Sequence, residues 1–211
     1  MEYVNINKLR YIDSEDVILT KEDAYKVFSF VRDIKPMHEI FYKVLYHTGM
    51  RLSELSGLTW DNVDLDKRII KVRQQMQFQT SKGHILVLLN TKSSGRDIHF
   101  WNTLYDELIN QKNKLNDLKI HSQFVCSKYN GSAIYKEDIE KVNRLINREL
   151  LRFKAHSVRK LHATMLIEAG AEIKNVSARL GHSNTRITYE IYVKNTNRLI
   201  DKTVSIFESV L

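Results

Sequence analysis

The sequence predicts an α+β domain that is mainly α-helical and carries one small three-stranded antiparallel sheet. Apolar residues recur at helical spacing towards both ends of the chain, whereas the middle, residues 68–100, contains short β-prone runs separated by Ser- and Gly-containing turns. The 211 residues include a single proline and no stretch rich in Ser and Gly. Nothing therefore marks a long flexible linker inside the chain.

The first helix is predicted over residues 20–33, because Thr20 and Asp23 have the spacing of a capping box and apolar residues follow at helical intervals. The sheet is predicted as a meander of strands 68–78, 84–90 and 96–100, with turns at 81–83 and 93–95. Residues 120–126 are predicted to be extended, and residues 1–19 to be a strap or the remnant of a linker before a domain of residues 20–211. The remaining helices are predicted over residues 37–47, 52–58, 101–116, 136–152, 157–169, 172–180, 184–193 and 196–209.

The composition excludes several classes of protein. A hydrophobic content of 43% and a charged content of 27% are those of a globular chain rather than a disordered one. The longest apolar run, residues 85–89, is far too short to span a membrane, and the single cysteine, Cys126, excludes an internal disulfide and fits a cytoplasmic location. The net charge of +8 points to nucleic acid as first partner and an anionic membrane as second, with a generic basic surface as the plain alternative.

Four local features carry candidate functional side chains. Arg51 and Glu54 are three residues apart after Gly49, and Lys92 lies in an exposed turn, with Lys82 in the preceding turn as its competitor. His156 and Arg159 are also three apart, and His182 follows a helix stop at Gly181 and precedes Tyr189 and Tyr192. Taken singly, each feature has a structural interpretation: a surface ion pair, a solvated hairpin lysine, a structural His/Arg pair and core aromatics.

Taken together, these residues fit phosphodiester chemistry that needs no metal. Guanidinium groups bind non-bridging phosphate oxygens in a bidentate manner, a tyrosine can attack phosphorus, and a lysine or histidine can protonate the departing oxygen.

In their order and spacing, the motifs TGMRLSEL, TKSSGRDI, HSVR and LGHS, followed by a tyrosine, resemble the tyrosine recombinase (phage integrase) family over about residues 20–200. The resemblance implies a tyrosine recombinase catalytic-domain fold and a site-specific DNA recombinase that cleaves and rejoins strands through a 3′-phosphotyrosine. It implies no cofactor and no metal. By position, the catalytic residues would be Arg51, Lys92, His156, Arg159, His182 and Tyr192, with Glu54 in a supporting position.

The roles that the resemblance implies can be stated residue by residue. Arg51 and Arg159 would hold the phosphate, and His182 would donate to one of its non-bridging oxygens. Lys92 would act as general acid. His156 would help to accept the proton of the nucleophile, Tyr192. The local sequence Ile187-Thr188-Tyr189, rather than the resemblance, suggests a buried packing role for Tyr189.

The resemblance also implies partners and assembly. The chain would bind double-stranded DNA, with no membrane partner, and would associate with nucleoid DNA in the cytoplasm. It would form a homo-tetramer on DNA, in which helix 196–210 docks on a neighbouring protomer, and would be a monomer or weak oligomer when free. Because full-length family members carry further DNA-binding domains, the chain is expected to be a catalytic fragment or a short member.

Two other classes remain open at this stage. Residues 172–192 have the pattern of a helix-turn-helix with a break at Gly181, which would suit a non-catalytic DNA-binding module. Asp61, Asp64 and Asp66 would be the ligands of a metal-dependent nuclease.

Overall fold

The computed structural model describes residues 17–89 and 95–195, the last four of these by their backbone alone. Its helices are α1 (Lys21–Ile34), α2 (Glu39–Thr48), α3 (Leu52–Ser56), α4 (Asn102–Asp117), α5 (Lys136–Glu149), α6 (Ala155–Glu168), α7 (Ile173–Leu180) and α8 (Thr185–Asn195), with a short 3₁₀ turn at Trp60–Asn62. Its strands are β1 (Val63–Asp64), β2 (Ile69–Val72), β3 (Gln74–Gln79), β4 (Gly83–Leu88) and β5 (Arg96–His99). The prediction of a mainly helical α+β domain with a small three-stranded antiparallel sheet is confirmed.

Helix α2 lies at the centre of the larger of two hydrophobic clusters. Most of its side chains are buried, including those of Phe41, Tyr42 and Leu45, because α1, α4 and α6 all pack around it. Helix α1 begins with the predicted capping box, in which the Asp23 backbone N–H donates to Thr20 Oγ1 at 3.1 Å and the Thr20 N–H donates to Asp23. Val17 and Leu19, just before this cap, are buried in the same cluster.

The strands form two antiparallel sheets rather than the predicted single meander. One sheet has the order β1-β2-β5, and the other is the two-stranded pair of β3 with β4. The predicted strand 68–78 is broken at Arg73, where the chain leaves the first sheet and enters the second. Beyond the break, β3 packs closely against the end of α3: a Cβ on Gly57, the residue after α3, would lie only 2.8 Å from the backbone at Gln75 and Met76.

Helices α6, α7 and α8 pack together beside this core. Their contact forms a second, smaller hydrophobic cluster of Ala163, Ile167, Val176 and Leu180. As a result the end of α7 faces the end of α2 and strand β5. Among the described residues, no helix is both long and apolar enough to cross a membrane. The predicted helix 196–209, residues 1–16 and most of the turn at 93–95 lie outside the described residues.

Candidate active site

The last turn of α7 gathers three arginines from three different parts of the chain. Three successive carbonyl oxygens, those of Arg179 and Leu180 in α7 and of Gly181 directly after it, each accept one guanidinium N–H. The donors are, respectively, Arg96 at 2.6 Å, Arg159 at 2.8 Å and Arg51 at 2.6 Å. Helix C-termini leave such carbonyls without intrahelical partners and carry a partial negative charge, so this end of α7 is suited to hold cations.

Two glycines in the left-handed backbone conformation allow this close packing. Gly49 ends α2 with a φ of 64°, and Gly181 ends α7 with a φ of 69°. A Cβ on Gly49 would lie 2.7 Å from both His162 and Leu180, and a Cβ on Gly181 would lie 2.8 Å from Nη1 of Arg96. The carbonyl oxygen of Gly49 accepts a hydrogen bond from Nη1 of Arg159 at 2.5 Å. Both glycines are therefore required by space and by backbone conformation.

A single buried carboxylate, Glu54, joins two of the arginines. Its Oε1 accepts from Nη1 of Arg51 at 2.7 Å and from Nη1 of Arg96 at 3.1 Å. Its Oε2 accepts from Nη2 of Arg96 at 2.8 Å and from the backbone N–H of Arg51 at 2.9 Å. Burial would raise the pKa of Glu54, but the hydrogen bonds and charges of Arg96 and Arg51 outweigh it and lower the pKa. Glu54 is therefore ionised and fixes the direction of both guanidinium groups.

We refer to Arg51, Arg96 and Arg159 together with Glu54 as the arginine cluster. Within the cluster, three guanidinium groups lie around one carboxylate in a confined space. Burial, followed by the charge of Arg51, lowers the pKa of Arg159 to about 9. A bound anion would relieve this repulsion. The cluster therefore has the properties of a site for an oxyanion such as a phosphate.

His182 lies next to the cluster and is held as a neutral imidazole. Burial, followed by the charges of Arg159, Arg51 and Arg96, lowers its pKa to about 4. Its Nδ1 is 2.8 Å from the hydroxyl of Thr188, which is fully buried on α8. His156, at the start of α6, is near enough to contribute to the same pKa shift. A neutral imidazole oriented in this way can donate one hydrogen bond and accept one.

Helix α8 carries both candidate tyrosines. The side chain of Tyr189 is 51% exposed, so the expectation that it is buried is wrong; Thr188 occupies the buried face of the helix instead. Tyr192 lies four residues after Thr188 within α8, and its side chain lies outside the described residues. Lys92 also lies outside them, while Lys82 is an exposed residue of the turn between β3 and β4.

The structure thus brings together Arg51, Glu54, Arg159 and His182, with His156 beside them. The sequence analysis missed Arg96, which holds Glu54 from the side opposite Arg51. The sequence feature that could have pointed to Arg96 is its position directly after the predicted turn at residues 93–95. The hydrogen-bonded pair of the buried His162 and the half-buried Arg179 was missed as well.

The aspartates proposed as nuclease ligands do not form a metal site. Across residues 17–89 and 95–191, no three His, Cys, Asp or Glu side chains lie together in a way that could hold a metal ion. Oδ1 of Asp64 instead accepts the backbone N–H of Lys67 at 2.9 Å.

Fold and site together define a mainly helical domain in which a fixed group of arginines lies beside a neutral histidine. The phage integrase family model matches residues 18–198. Because the match covers most of the chain, this chain belongs to the phage integrase family.

Relatives named as transposases and recombinases share this region. The transposase from transposon Tn916 of Enterococcus faecalis is 28% identical over an alignment of 196 residues, and the match covers 85% of this chain and 48% of that protein. A tyrosine recombinase XerC-like protein of Caldanaerobacter subterraneus is 29% identical over 171 residues, covering 72% of this chain and 44% of its own length. The chain thus spans about half the length of the curated relatives it matches.

Solved structures share the fold. The Tn1549 transposon integrase (residues 82–397 of that protein) in complex with circular intermediate DNA aligns with a TM-score of 0.78 and 25% identity, covering 94% of this chain and 69% of the other. The XerA recombinase aligns with a TM-score of 0.70 at 19% identity, covering 91% of this chain and 65% of the other, and this likeness concerns the fold alone.

Proposed function

We propose that this chain is the catalytic domain of a site-specific DNA recombinase, which cleaves and rejoins DNA strands through a covalent 3′-phosphotyrosine. The observation that carries the proposal is the arginine cluster at the end of α7, which lies beside a neutral histidine. The next helix, α8, carries the candidate tyrosine. Membership of the phage integrase family and the likeness to an integrase solved with DNA support it.

The arginines bind the scissile phosphate and stabilise the charge that builds up on it in the transition state. Arg51 is the most accessible of the three, with its side chain 37% exposed, and it presents the unused part of its guanidinium to the phosphate. Arg159 is held rigidly by two carbonyl oxygens, so its remaining N–H groups have a fixed direction. Nε2–H of His182 donates to a non-bridging oxygen when Thr188 donates to Nδ1.

The covalent step is a transfer of the phosphoryl group from sugar to protein. The phenolic oxygen of Tyr192 attacks phosphorus, the bond to the 5′ oxygen of the next nucleotide breaks, and a 3′-phosphotyrosine forms. The phenol proton passes to His156, and the departing 5′ oxygen takes a proton from Lys92. Because the phosphotyrosine ester keeps the bond energy of the cleaved phosphodiester, attack by a 5′-hydroxyl can reverse the step without a further energy source.

The position of Lys92 in the chain supports it over Lys82 as the general acid. Lys92 is four residues from Arg96, a member of the cluster, so the connecting chain spans at most about 14 Å. Lys82 lies at the far end of the β3–β4 hairpin, and β4 alone, with its six residues, extends about 20 Å.

The structure of α8 supports Tyr192 over Tyr189 as the nucleophile. Residues four apart on a helix lie on the same face, so position 192 follows Thr188, whose side chain contacts His182. Tyr189 is exposed on a different face.

A non-catalytic helix-turn-helix accounts for fewer of these contacts. Such a module would use the cations of α7 and α8 on DNA, but the guanidinium of Arg179 bonds inside the domain to His47, His99 and His162. Arg186 is paired with Glu190 at 2.8 Å on the surface.

The proposed partner is double-stranded DNA, which the basic chain binds mainly through phosphates, so affinity falls steeply with salt. On DNA the protein assembles as a homo-tetramer in which the segment 196–210 docks on a neighbouring protomer, and the free protein is a monomer or weak oligomer. This activity places the protein with the nucleoid in the cytoplasm.

The proposal is tested with a pool of nicked duplexes of random sequence, in which cleavage near the nick releases a short oligonucleotide and traps the adduct. We expect a labelled covalent band on denaturing gels that persists in excess EDTA and is absent from the Tyr192→Phe variant. The Tyr189→Phe variant, which loses a hydroxyl from the same helix, is the matched control and should retain the band. DNA binding without any adduct from the wild-type protein would contradict the proposal.

A further inference from the structure

The guanidinium of Arg179 does not join the arginine cluster, although its own carbonyl oxygen binds Arg96. The side chain turns instead towards α6, β5 and α2, where each of its three nitrogens has a partner. Nε donates to Nε2 of His162 at 3.1 Å, Nη1 to the carbonyl of His99 at 2.9 Å, and Nη2 to the carbonyl of His47 at 3.0 Å. Arg179 therefore ties α7 to α6, to β5 and to the last turn of α2.

The partners of His162 determine which of its nitrogens carries the proton. Nδ1 lies 2.7 Å from the carbonyl oxygen of Tyr46, which can only accept, so Nδ1 must be the protonated nitrogen. Nε2 is then free to accept from Arg179. Burial, followed by the charge of Arg179, lowers the pKa of His162 to about 3, which keeps the imidazole neutral. Which group donates and which accepts is thus fixed for the hydrogen bond between His162 and Arg179.

These contacts converge on the end of α2, from which the segment Gly49–Arg51 starts. The carbonyl oxygens of three residues there are held by side chains of other helices: Tyr46 by His162, His47 by Arg179, and Gly49 by Arg159. Gly49 also lies so close to His162 that a Cβ there would be 2.7 Å from the imidazole. A movement of His162 or Arg179 would therefore displace the backbone that bears Arg51.

We propose that Arg179 and His162 are positioning residues for the DNA cleavage site: they hold the end of α2 against the end of α7 so that Arg51 and Arg159 share one phosphate. This inference rests on the proposed recombinase function. The role proposed for the pair needs no contact with the phosphate. Arg179 uses Nε and one N–H of each terminal nitrogen on His162, His99 and His47, and both nitrogens of His162 have partners inside the domain.

The positioning role is tested by comparing the rate of adduct formation, at saturating protein, between the Arg179→Leu variant and the control variant Arg148→Leu. Arg148 is a helix-surface arginine paired with Glu149, and its side chain is 69% exposed. We expect Arg179→Leu to slow the rate roughly 10- to 100-fold, the effect of a small misplacement of reacting groups, while DNA affinity stays near that of the control. A rate equal to that of Arg148→Leu would overturn the proposal.

Two amide substitutions separate positioning from simple loss of packing. Gln at position 162 can reach the place of Nε2 and still accept from Arg179, whereas Asn can replace only Nδ1 and its bond to Tyr46. We expect His162→Gln to keep most of the wild-type rate and His162→Asn to lose as much as Arg179→Leu, at similar melting temperatures. Equal rates for His162→Gln and His162→Asn would show that the hydrogen bond between residue 162 and Arg179 does not determine the rate of adduct formation.

A measurement that does not depend on activity keeps the two proposals distinguishable. In DNA-free protein labelled with ¹⁵N-arginine, the Nε–H signals of Arg51 and Arg159 should shift in Arg179→Leu and stay in place in Arg148→Leu. Unchanged signals would overturn the positioning role even if the wild-type protein forms the adduct. Shifted signals without any wild-type adduct would support the positioning role and contradict the recombinase function.

Discussion

Replacing Glu54 by Gln is expected to lower the free energy of unfolding by about 3–5 kcal/mol, the cost of removing one partner from a buried ion pair. The side chain of Glu54 is only 1% exposed, and its two oxygens accept four hydrogen bonds from Arg51 and Arg96. A glutamine keeps one oxygen and places an NH₂ group against the donors on the other side. Arg51 and Arg96 would then lose the charge of the carboxylate that accepts from both of them.

Urea unfolding at pH 7.5, followed by circular dichroism, measures this loss. The matched control is Glu149→Gln, because Glu149 is paired with Arg148 but has a side chain that is 45% exposed. We expect the control to change the free energy of unfolding by less than about 0.5 kcal/mol. A loss below about 1 kcal/mol for Glu54→Gln would refute the view that Glu54 is the buried counter-charge of the cluster.

The same variant tests whether the cluster binds anions. Because removal of the carboxylate raises the local positive charge, sulfate should stabilise Glu54→Gln more than it stabilises the wild-type protein or Glu149→Gln. Chloride at equal ionic strength controls for screening of surface charges. An identical response of all three proteins to sulfate would contradict an anion site at the cluster.

Three further predictions concern the arginine cluster, the dependence of cleavage on metal ions and the dependence of stability on pH. Arg159→Ala should slow adduct formation by roughly 10²–10³-fold with a much smaller loss of DNA affinity, because it removes a transition-state donor; proportional losses in gel-shift and adduct assays would make Arg159 a docking residue. The adduct rate should be the same in excess EDTA as in Mg²⁺, and loss in EDTA with recovery in Mg²⁺ would favour a nuclease. The buried His162 has a pKa of about 3 in the folded protein, below the unfolded value near 6.5. Below pH 6.5 the unfolded state therefore binds more protons, and the free energy of unfolding should fall by up to about 1.4 kcal/mol per pH unit. Urea unfolding between pH 7 and 5 measures this slope, which should be shallower in His162→Gln; an unchanged slope would contradict the burial of a neutral imidazole.

The order of the helices could be predicted from the sequence because their signals are local. The capping box at Thr20 and the glycine stops at Gly49 and Gly181 act within one turn, and all three appear in the structure. The division into two sheets could not be predicted, because it depends on the packing of β3 against α3, which lie some twenty residues apart in the sequence. The β-prone run through Arg73 carries no local sign of the break.

The same distinction applies to the site. The spacing of Arg51 and Glu54 predicted their contact, since residues three apart on a helix are neighbours. The contacts of Arg96 with Glu54 and of Arg179 with His162 join residues that are 42 and 17 positions apart, and no periodicity reports them. The exposure of Tyr189 escaped prediction because a helical spacing gives the relative faces of a helix and not which of them meets the core.

The most direct test of the account is to locate the covalent bond. Trypsin cleavage after Arg186 and Lys194 releases residues 187–194, a single peptide that contains both Tyr189 and Tyr192. After adduct formation on the nicked duplexes and nuclease digestion, fragmentation of this peptide between Glu190 and Ile191 separates the two tyrosines in the mass spectrum. The account predicts that the nucleotide remnant is attached to the fragment that contains Tyr192. A remnant on the fragment with Tyr189, or on another peptide, would contradict it.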